Sequence, residues 1–240
     1  MKNLFIFIIF IIVFVLIFIR TASAQSVDDI IDQYLVARGG LDKLQSIQSI
    51  ELEGIRQMMN GEVNVKITKV QGKLFRSDFS FGEIKGYTII TPLGGWACAP
   101  SDPGKVQQLP WSNVAPALQE LDIAGPLVDY KSKGYAATLL GRETVEGRDC
   151  YQIQLSRESK IHSIYFLDVK TKFLVQSRVI SVSDDESYDI ITSFSDYAEF
   201  EGVLFPQKIS VAGGVMSEGS IIFHRIQVNV PVHQQLFLPL

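Results

Sequence analysis

The 240-residue chain is 47% apolar and 20% charged, with 22 Lys+Arg against 26 Asp+Glu, 3 His and only 2 Cys. That balance excludes a disordered tail, a collagen-like repeat and a disulfide-dense miniprotein. It also sets nucleic acid aside as a partner, because neutralising phosphates takes clustered Lys and Arg, and the longest basic stretch is Lys170-Thr171-Lys172, which looks like a turn between strands.

The chain opens with Lys2 and an unbroken run of sixteen apolar residues, Leu4 to Ile19, followed by Arg20-Thr21-Ala22-Ser23-Ala24. A positive start, an apolar run short for a membrane span and small residues at positions 22 and 24 predict a signal peptide cleaved after Ala24 and export to the periplasm. Residues 1–24 are therefore read as signal and 25–240 as one domain, with an uncleaved anchor as the competing reading. No Cys follows the small residues to accept a lipid. Cleavage removes Lys2 and Arg20 and no acid, leaving 20 cations against 26 anions, a net −6.

Next comes a helical period: Val27, Ile30, Ile31, Tyr34 and Leu35 share one face, Ser26 stands as cap, Asp28 and Asp29 fill the first turn and Gly39-Gly40 end it. A short turn at Leu41 to Leu44 leads into strands. From Ile47 the period is two: Ile50, Leu52 and Gly54 alternate with Glu51 and Glu53, and Val63, Val65 and Ile67 with Asn64 and Lys66. Asn60-Gly61 marks a hairpin between them. Strands are expected again at Leu74–Phe81, Gly86–Thr91 and Gly95–Ala99. The stretch from Leu109 to Pro126 breaks the rhythm and reads as one or two short helices or a lid-like loop. Strand patterning then resumes from Ala136 to Val230 in seven segments joined by short turns such as Val145-Glu146-Gly147-Arg148.

About a dozen sequential strands imply a large antiparallel meander. Strand twist must curl so long a sheet, so the expected fold is α+β: a large curved antiparallel sheet forming an open half β-barrel covered by short helices. Incomplete cover would leave an apolar cavity.

The search for chemistry finds little. No GxSxG, HExxH, P-loop or GxGxxG occurs, so no catalytic residue, cofactor or metal is assigned. His162, His224 and His233 are isolated from one another and from carboxylates at ligand spacing. Cys98 and Cys150 each sit in an apolar run, where a disulfide and two buried thiols both fit. Asp184-Asp185-Glu186 reads as a solvated turn. What stands out is the number of strand aromatics, among them Phe75, Phe79, Trp96, Tyr165, Phe194 and Phe205; each alone is ordinary core, but together they offer a lining for an acyl chain.

The segments Ala37-Arg38-Gly39-Gly40-Leu41-Asp42-Lys43-Leu44 and Ile50-Glu51-Leu52-Glu53-Gly54, then Leu140 through Ile153, Tyr165-Phe166-Leu167-Asp168, Ser195-Asp196-Tyr197 and Gly202-Val203-Leu204-Phe205-Pro206, resemble the LolA/LolB-like outer-membrane lipoprotein-sorting proteins. The resemblance covers nearly all of the chain after residue 24. It implies an unclosed barrel, lidded by helices, that holds a lipid or the acyl chains of a lipoprotein. In LolA, a Lys-Arg-Pro-x-Leu-Phe segment carries an Arg that ties the lid shut and a Phe near the mouth. Matched onto Val70-Gln71-Gly72-Lys73-Leu74-Phe75, it keeps Leu74 and Phe75 and places Gln71 at the Arg position. Gly95-Trp96 and Pro100 resemble the family's short strand ending in Trp and Pro.

The expectation is an exported, non-enzymatic carrier with Leu74, Phe75, Phe79, Trp96, Leu118 and Leu121 at the cavity and its mouth, and a lid around Leu118 to Leu127. Its partners would be lipid or lipoprotein acyl chains and membrane-associated donor or acceptor proteins. An envelope scaffold with a filled interior and an exported enzyme remain as alternatives.

Overall fold

The computed structural model describes residues 25–239 except 59–60, 100, 103, 158–160, 183–186 and 214–218. The expected signal segment, Asn60, Pro100 and the Asp184-Asp185-Glu186 turn lie outside the described residues.

Helix α1 (Val27–Ala37) starts where the caps placed it. The Ser26 hydroxyl accepts from the Asp29 amide at 3.1 Å and the Asp29 carboxylate accepts from the Ser26 amide at 3.1 Å, a reciprocal cap. Its buried face is Ile30, Ile31, Tyr34 and Leu35. A one-turn helix, α2 (Leu41–Ser46), follows after Gly40.

Six strands come next: β1 (Ser49–Met58), β2 (Gly61–Val70), β3 (Leu74–Phe81), β4 (Ile84–Thr91), β5 (Gly94–Cys98) and β6 (Val106–Gln108). A crossover holding α3 (Trp111–Ala117) and a 3-10 turn (Leu118–Leu121) leads to seven more: β7 (Ala136–Val145), β8 (Arg148–Ser156), β9 (Ile161–Asp168), β10 (Leu174–Val182), β11 (Ser187–Phe200), β12 (Val203–Ala212) and β13 (Gly219–Val228). A last 3-10 turn spans Gln234–Phe237.

All thirteen strands form one sheet in the order β6-β5-β4-β3-β2-β1-β13-β12-β11-β10-β9-β8-β7. This corrects the single meander expected from sequence: there are two meanders, β1 to β6 and β7 to β13, joined where β1 pairs antiparallel with β13. The free edges, β6 and β7, are consecutive in the chain. The sheet is therefore an open, curved antiparallel structure with few short helices.

Bends are built in by bulges. Register shifts between Glu53 and Gly54 on the β1–β13 pair, between Leu139 and Gly141 on β7–β8 and between Leu174 and Gln176 on β9–β10. At Gly54 an added Cβ would meet the Ile222 carbonyl oxygen at 2.4 Å, so only glycine lets β13 approach there. The Val145–Arg148 turn has Glu146 at φ 50° and Gly147 at φ 76°, the double positive φ that matches hairpin twist. Lys170-Thr171-Lys172 is indeed a turn: the Asp168 carboxylate accepts from the Lys170 and Thr171 amides at 2.6 and 3.0 Å.

The main core lies on one face, called inner here, where α1, Leu44 and crossover residues Ala124, Leu127 and Val128 pack on Ile50, Leu52, Ile153, Leu155, Tyr165, Leu167, Val203, Phe205, Phe223 and Ile226. The opposite, outer face carries a small cluster of Val145, Cys150, Phe166 and Val175. Cys98 and Cys150 are both free and buried, in strands from the two different meanders.

Candidate functional site

The helical cover is clamped at its C-terminal end. Arg38, 7% exposed, donates from Nε to the Leu204 carbonyl at 2.6 Å and from Nη1 to the Tyr34 hydroxyl at 2.8 Å, and its guanidinium lies over the Tyr34 and Phe205 rings. A buried cation without a carboxylate is tolerable when its donors are spent and its face is stacked. Gly39 makes this approach possible: at φ 116°, its added Cβ would fall 2.3 Å from the Gly202 carbonyl oxygen. The residues that carried the resemblance are thus the two sides of one clasp between α1 and the start of β12.

The crossover is fastened by polar contacts from several elements. Gln71, in the β2–β3 turn, accepts from the Ile123 amide at 2.8 Å and donates to Asp122 at 3.3 Å, while the Gly72 amide donates to the Leu121 carbonyl at 2.8 Å. Lys69 pairs with Glu120 at 2.6 Å, and Lys133 with Asp122 at 2.6 Å. Asp28 of α1 accepts from the Tyr130 hydroxyl and pairs with Lys131 at 2.8 Å. The Lys131 hydrogen bond first, then that from Tyr130, holds the Asp28 carboxyl below its ordinary pKa of 3.8.

Burial falls along the central strands in one direction. On β1, Ser49, Ile50 and Leu52 are buried whereas Gln57 and Met58 are exposed; on β12, Val203 and Phe205 are buried and Ala212 is exposed. Strands β2 and β13 run the other way and show the reverse gradient: Gly61 and Glu62 open β2 exposed, and β13 goes from half-buried Gly219 to buried Val228. One end of the inner face is plugged by α1 and the crossover, and among the described residues nothing comparable covers the other.

The uncovered end is apolar in its middle and shallow at its sides. Register aligns Phe194, Ile209, Ile221, Arg56 and Val63 in one row from β11 to β2. A neighbouring row runs Ile67, Ser77, Thr88, Ala97, and on the far side Ser163 faces Val179 and Ser177 faces Thr192. Phe79 lies over Gly86, where an added Cβ would meet its ring at 2.5 Å. Small residues stand there beside half-buried Phe79, Phe194, Ile209, Val211 and Ile221, a stretch of the inner face called the trough below.

The sequence of this chain matches no family model and no curated protein. Its structure is similar to that of a LolA superfamily protein from Nitrosomonas europaea, at TM-score 0.55 and 12% identity over 85% of this chain and 96% of that one. The fold is LolA-like. An outer membrane lipoprotein-sorting protein domain from Vibrio parahaemolyticus matches at TM-score 0.54 and 11% identity, over 87% and 94% of the two chains. A DUF1329 family protein from Desulfovibrio piger matches at 0.53 and 13%, over 90% and 98%.

Within this LolA-like frame the six expected cavity residues divide. Phe75, Leu118 and Leu121 come together around Ile90 and Val114, beneath α3, with Lys69 Nζ 5.3 Å from the Phe75 ring centre. Phe79 shares the inner face with Phe75, four residues farther along β3, at the open trough. Leu74 and Trp96 stand on the outer face. Alternation puts fully buried Leu74 opposite Phe75, and the register Thr68–Arg76–Ile89–Trp96 carries Trp96 to the same side. Trp96 there lines a hollow with Lys73, Thr91, Pro92, Leu93 and Phe237. The C-terminal segment straps this outer face, with the Val230 carbonyl accepting from Ser49 at 2.6 Å and the Leu236 carbonyl from Arg76 at 3.3 Å.

A cleft of about 660 Å³ also opens among outer-face side chains and was not foreseen. Arg76 forks onto Asp78 at 2.8 Å and stacks on Tyr87 at 4.5 Å, and Lys66 joins Glu51 at 2.8 Å and Glu53 at 3.5 Å. Burial acts to lower the Lys66 pKa, but Glu51 and Glu53 outweigh it and raise it. These groups neutralise one another, so the cleft is a closed ion-pair web rather than a charged receptor. The Arg76-x-Asp78 spacing was the sequence signal for it, since residues two apart share a strand face.

Proposed function

We propose that this is an exported, non-enzymatic carrier that holds a lipid or lipoprotein acyl chain in the trough of the inner face. It would carry that chain through the periplasm toward the outer membrane, with residues 1–24 as a cleaved signal and 25–240 as the lipid-binding domain. One observation carries the reading: the helices fill only one end of the inner face, and the other end presents half-buried apolar side chains beside small ones. A closed core would have no such gradient.

The energetics suit a carrier. Each methylene moved from water contributes about 0.8 kcal/mol, so a dozen would supply roughly 10 kcal/mol before the costs of ordering are deducted. Because the trough lies at the end that α1 and the crossover do not plug, loading and release would proceed there without displacing either. Likeness to lipoprotein-sorting folds supports the same reading. The test is lipid mass spectrometry on the purified protein and titration with a fluorescent fatty-acyl probe. Copurified amphiphile and saturable probe binding at one site are expected; a lipid-free protein that leaves the probe unchanged would overturn the reading.

The solid packing of α1 on β8 and β9 favours a second reading, an envelope scaffold whose surface docks a partner protein. It requires partner binding that survives Phe79→Asp, a change that would abolish acyl binding under the first reading.

A further inference from the structure

We propose that the hollow on the outer face is a binding site for a small apolar carboxylate, separate from the trough and independent of the carrier reading. About 400 Å³ lies between Lys73, Thr91, Pro92, Leu93, Trp96 and Phe237. That volume falls at the lower end of the range for small-molecule pockets, about 300–1,000 Å³. Its walls come from four places in the chain: Lys73 from the β2–β3 turn, Thr91 to Leu93 from the end of β4 and the turn after it, Trp96 from β5, and Phe237 from the C-terminal segment.

Two of these walls are held by contacts of their own. The Thr91 hydroxyl donates to the Gly94 carbonyl at 3.2 Å and accepts from the Leu93 amide at 3.3 Å, which sets Leu93 at the rim with 90% of its surface exposed. Arg76 donates to the Leu236 carbonyl at 3.3 Å and so anchors the segment beside Phe237. Trp96 and Phe237 are only half-buried, and an apolar ligand body gains by covering them together with Leu93. Charge decides the head group. Lys73 is the one charged residue that lines the hollow, no acid lines it, and among the described residues Lys73 makes no ion pair. The Trp96 indole N–H has no hydrogen-bond partner among those residues either. A net acidic protein thus keeps an unpaired cation beside exposed apolar rings, the complement of an apolar anion and not of a neutral or cationic amphiphile.

Trp96 itself reports binding, since Trp111 is the other of the chain's two tryptophans and Trp111→Phe leaves Trp96 as the only indole emitter. In that background, octanoate, octanol and octylammonium are titrated against tryptophan fluorescence. Octanoate should give a saturable change at a concentration about three- to fivefold lower than octanol, the preference an exposed ion pair supplies, with octylammonium weakest. Lys73→Gln should bring octanoate down to octanol and leave octanol unchanged; Lys73 is exposed and has no ion pair to lose, so the variant should fold as the parent does. Leu93→Asp should weaken octanoate more than tenfold, and Phe79→Asp, in the trough, should leave it unaltered. No saturable change, equal affinity for the three probes, or a preference that survives Lys73→Gln overturns the proposal and leaves the carrier reading standing. Loss of octanoate binding on Phe79→Asp also overturns it, because the anion would then sit in the trough.

Discussion

Gln71→Leu should unlatch the crossover while leaving the core intact. The side chain makes two contacts with the 122–123 segment, accepting from the Ile123 amide at 2.8 Å and donating to Asp122 at 3.3 Å. Asp122 keeps Lys133 at 2.6 Å, so its loss is small. Among the described residues the Ile123 amide has no such second partner, and it lies in a half-buried stretch. A hydrogen bond contributes about 0.5–1.5 kcal/mol net, and leaving a buried donor unmet costs about 1–3 kcal/mol, so roughly 2 kcal/mol is expected. That corresponds to an open population about thirtyfold larger. Amide hydrogen exchange reads it directly: protection across 118–127 should fall by about that factor, and protection in β8 to β10 should not change. Equal loss in both regions would mean that the segment is part of the global fold and not a separable lid. No loss in either would mean that Gln71 does not hold it.

Three further outcomes follow from the same contacts. Gly39→Ala should destabilise more than Gly40→Ala: both positions have positive φ, 116° and 97°, costing about 1–3 kcal/mol, but only at Gly39 would the methyl strike backbone, the Gly202 oxygen at 2.3 Å, and urea midpoints at constant m-value measure the difference. Cys98 and Cys150 should both titrate as free thiols after denaturation without reductant, and Cys150 should resist iodoacetamide in the native state at pH 8, because burial foremost, with the Asp168 charge, pushes its pKa to about 11. The Asp28 latch is a depressed carboxyl, so its contribution is full above the unfolded value of 3.8 and is lost as pH falls through the lower folded value; the stability gap between wild type and Asp28→Asn should close below that pH in denaturant titrations.

Much of the fold could be read from local pattern because its devices are local. The α1 boundaries follow from Ser26 and Gly39, and most strand limits follow from two-residue alternation and turn chemistry. Strand β6 escaped because Val106-Gln107-Gln108 is too short to show a period. The β1–β13 pairing escaped for a different reason: it joins the two ends of the domain, and no local spacing encodes a contact between Ile50 and Val228. The site was legible only where it followed alternation. Leu74 and Phe75 are adjacent in a strand and cannot share a face, so both cannot stand on the inner side of the sheet. Trp96 needed the register of several strands, which no local spacing encodes.

The uncovered end follows from dimensions. Eleven residues of α1 make a rod about 16 Å long, and the ten residues of β1 extend about 33 Å. One such helix, with a one-turn companion and a crossover held by Gln71 and Asp28, cannot roof the whole inner face of strands that long. The clasp at Arg38 and Gly39 fixes the cover at the Val203 end of β12, so the shortfall appears at the Ala212 end. A chain selected only for stability would bring large side chains into that gap. Here it is flanked by Ser77, Thr88, Ala97, Gly86, Ser163 and Ser177, residues too small to fill it. Enlarging two of them, as in Ala97→Phe with Thr88→Leu, should raise the urea midpoint by covering apolar surface and abolish acyl-probe binding together. If the filled variant still binds the probe, the ligand lies elsewhere and the trough is not the site.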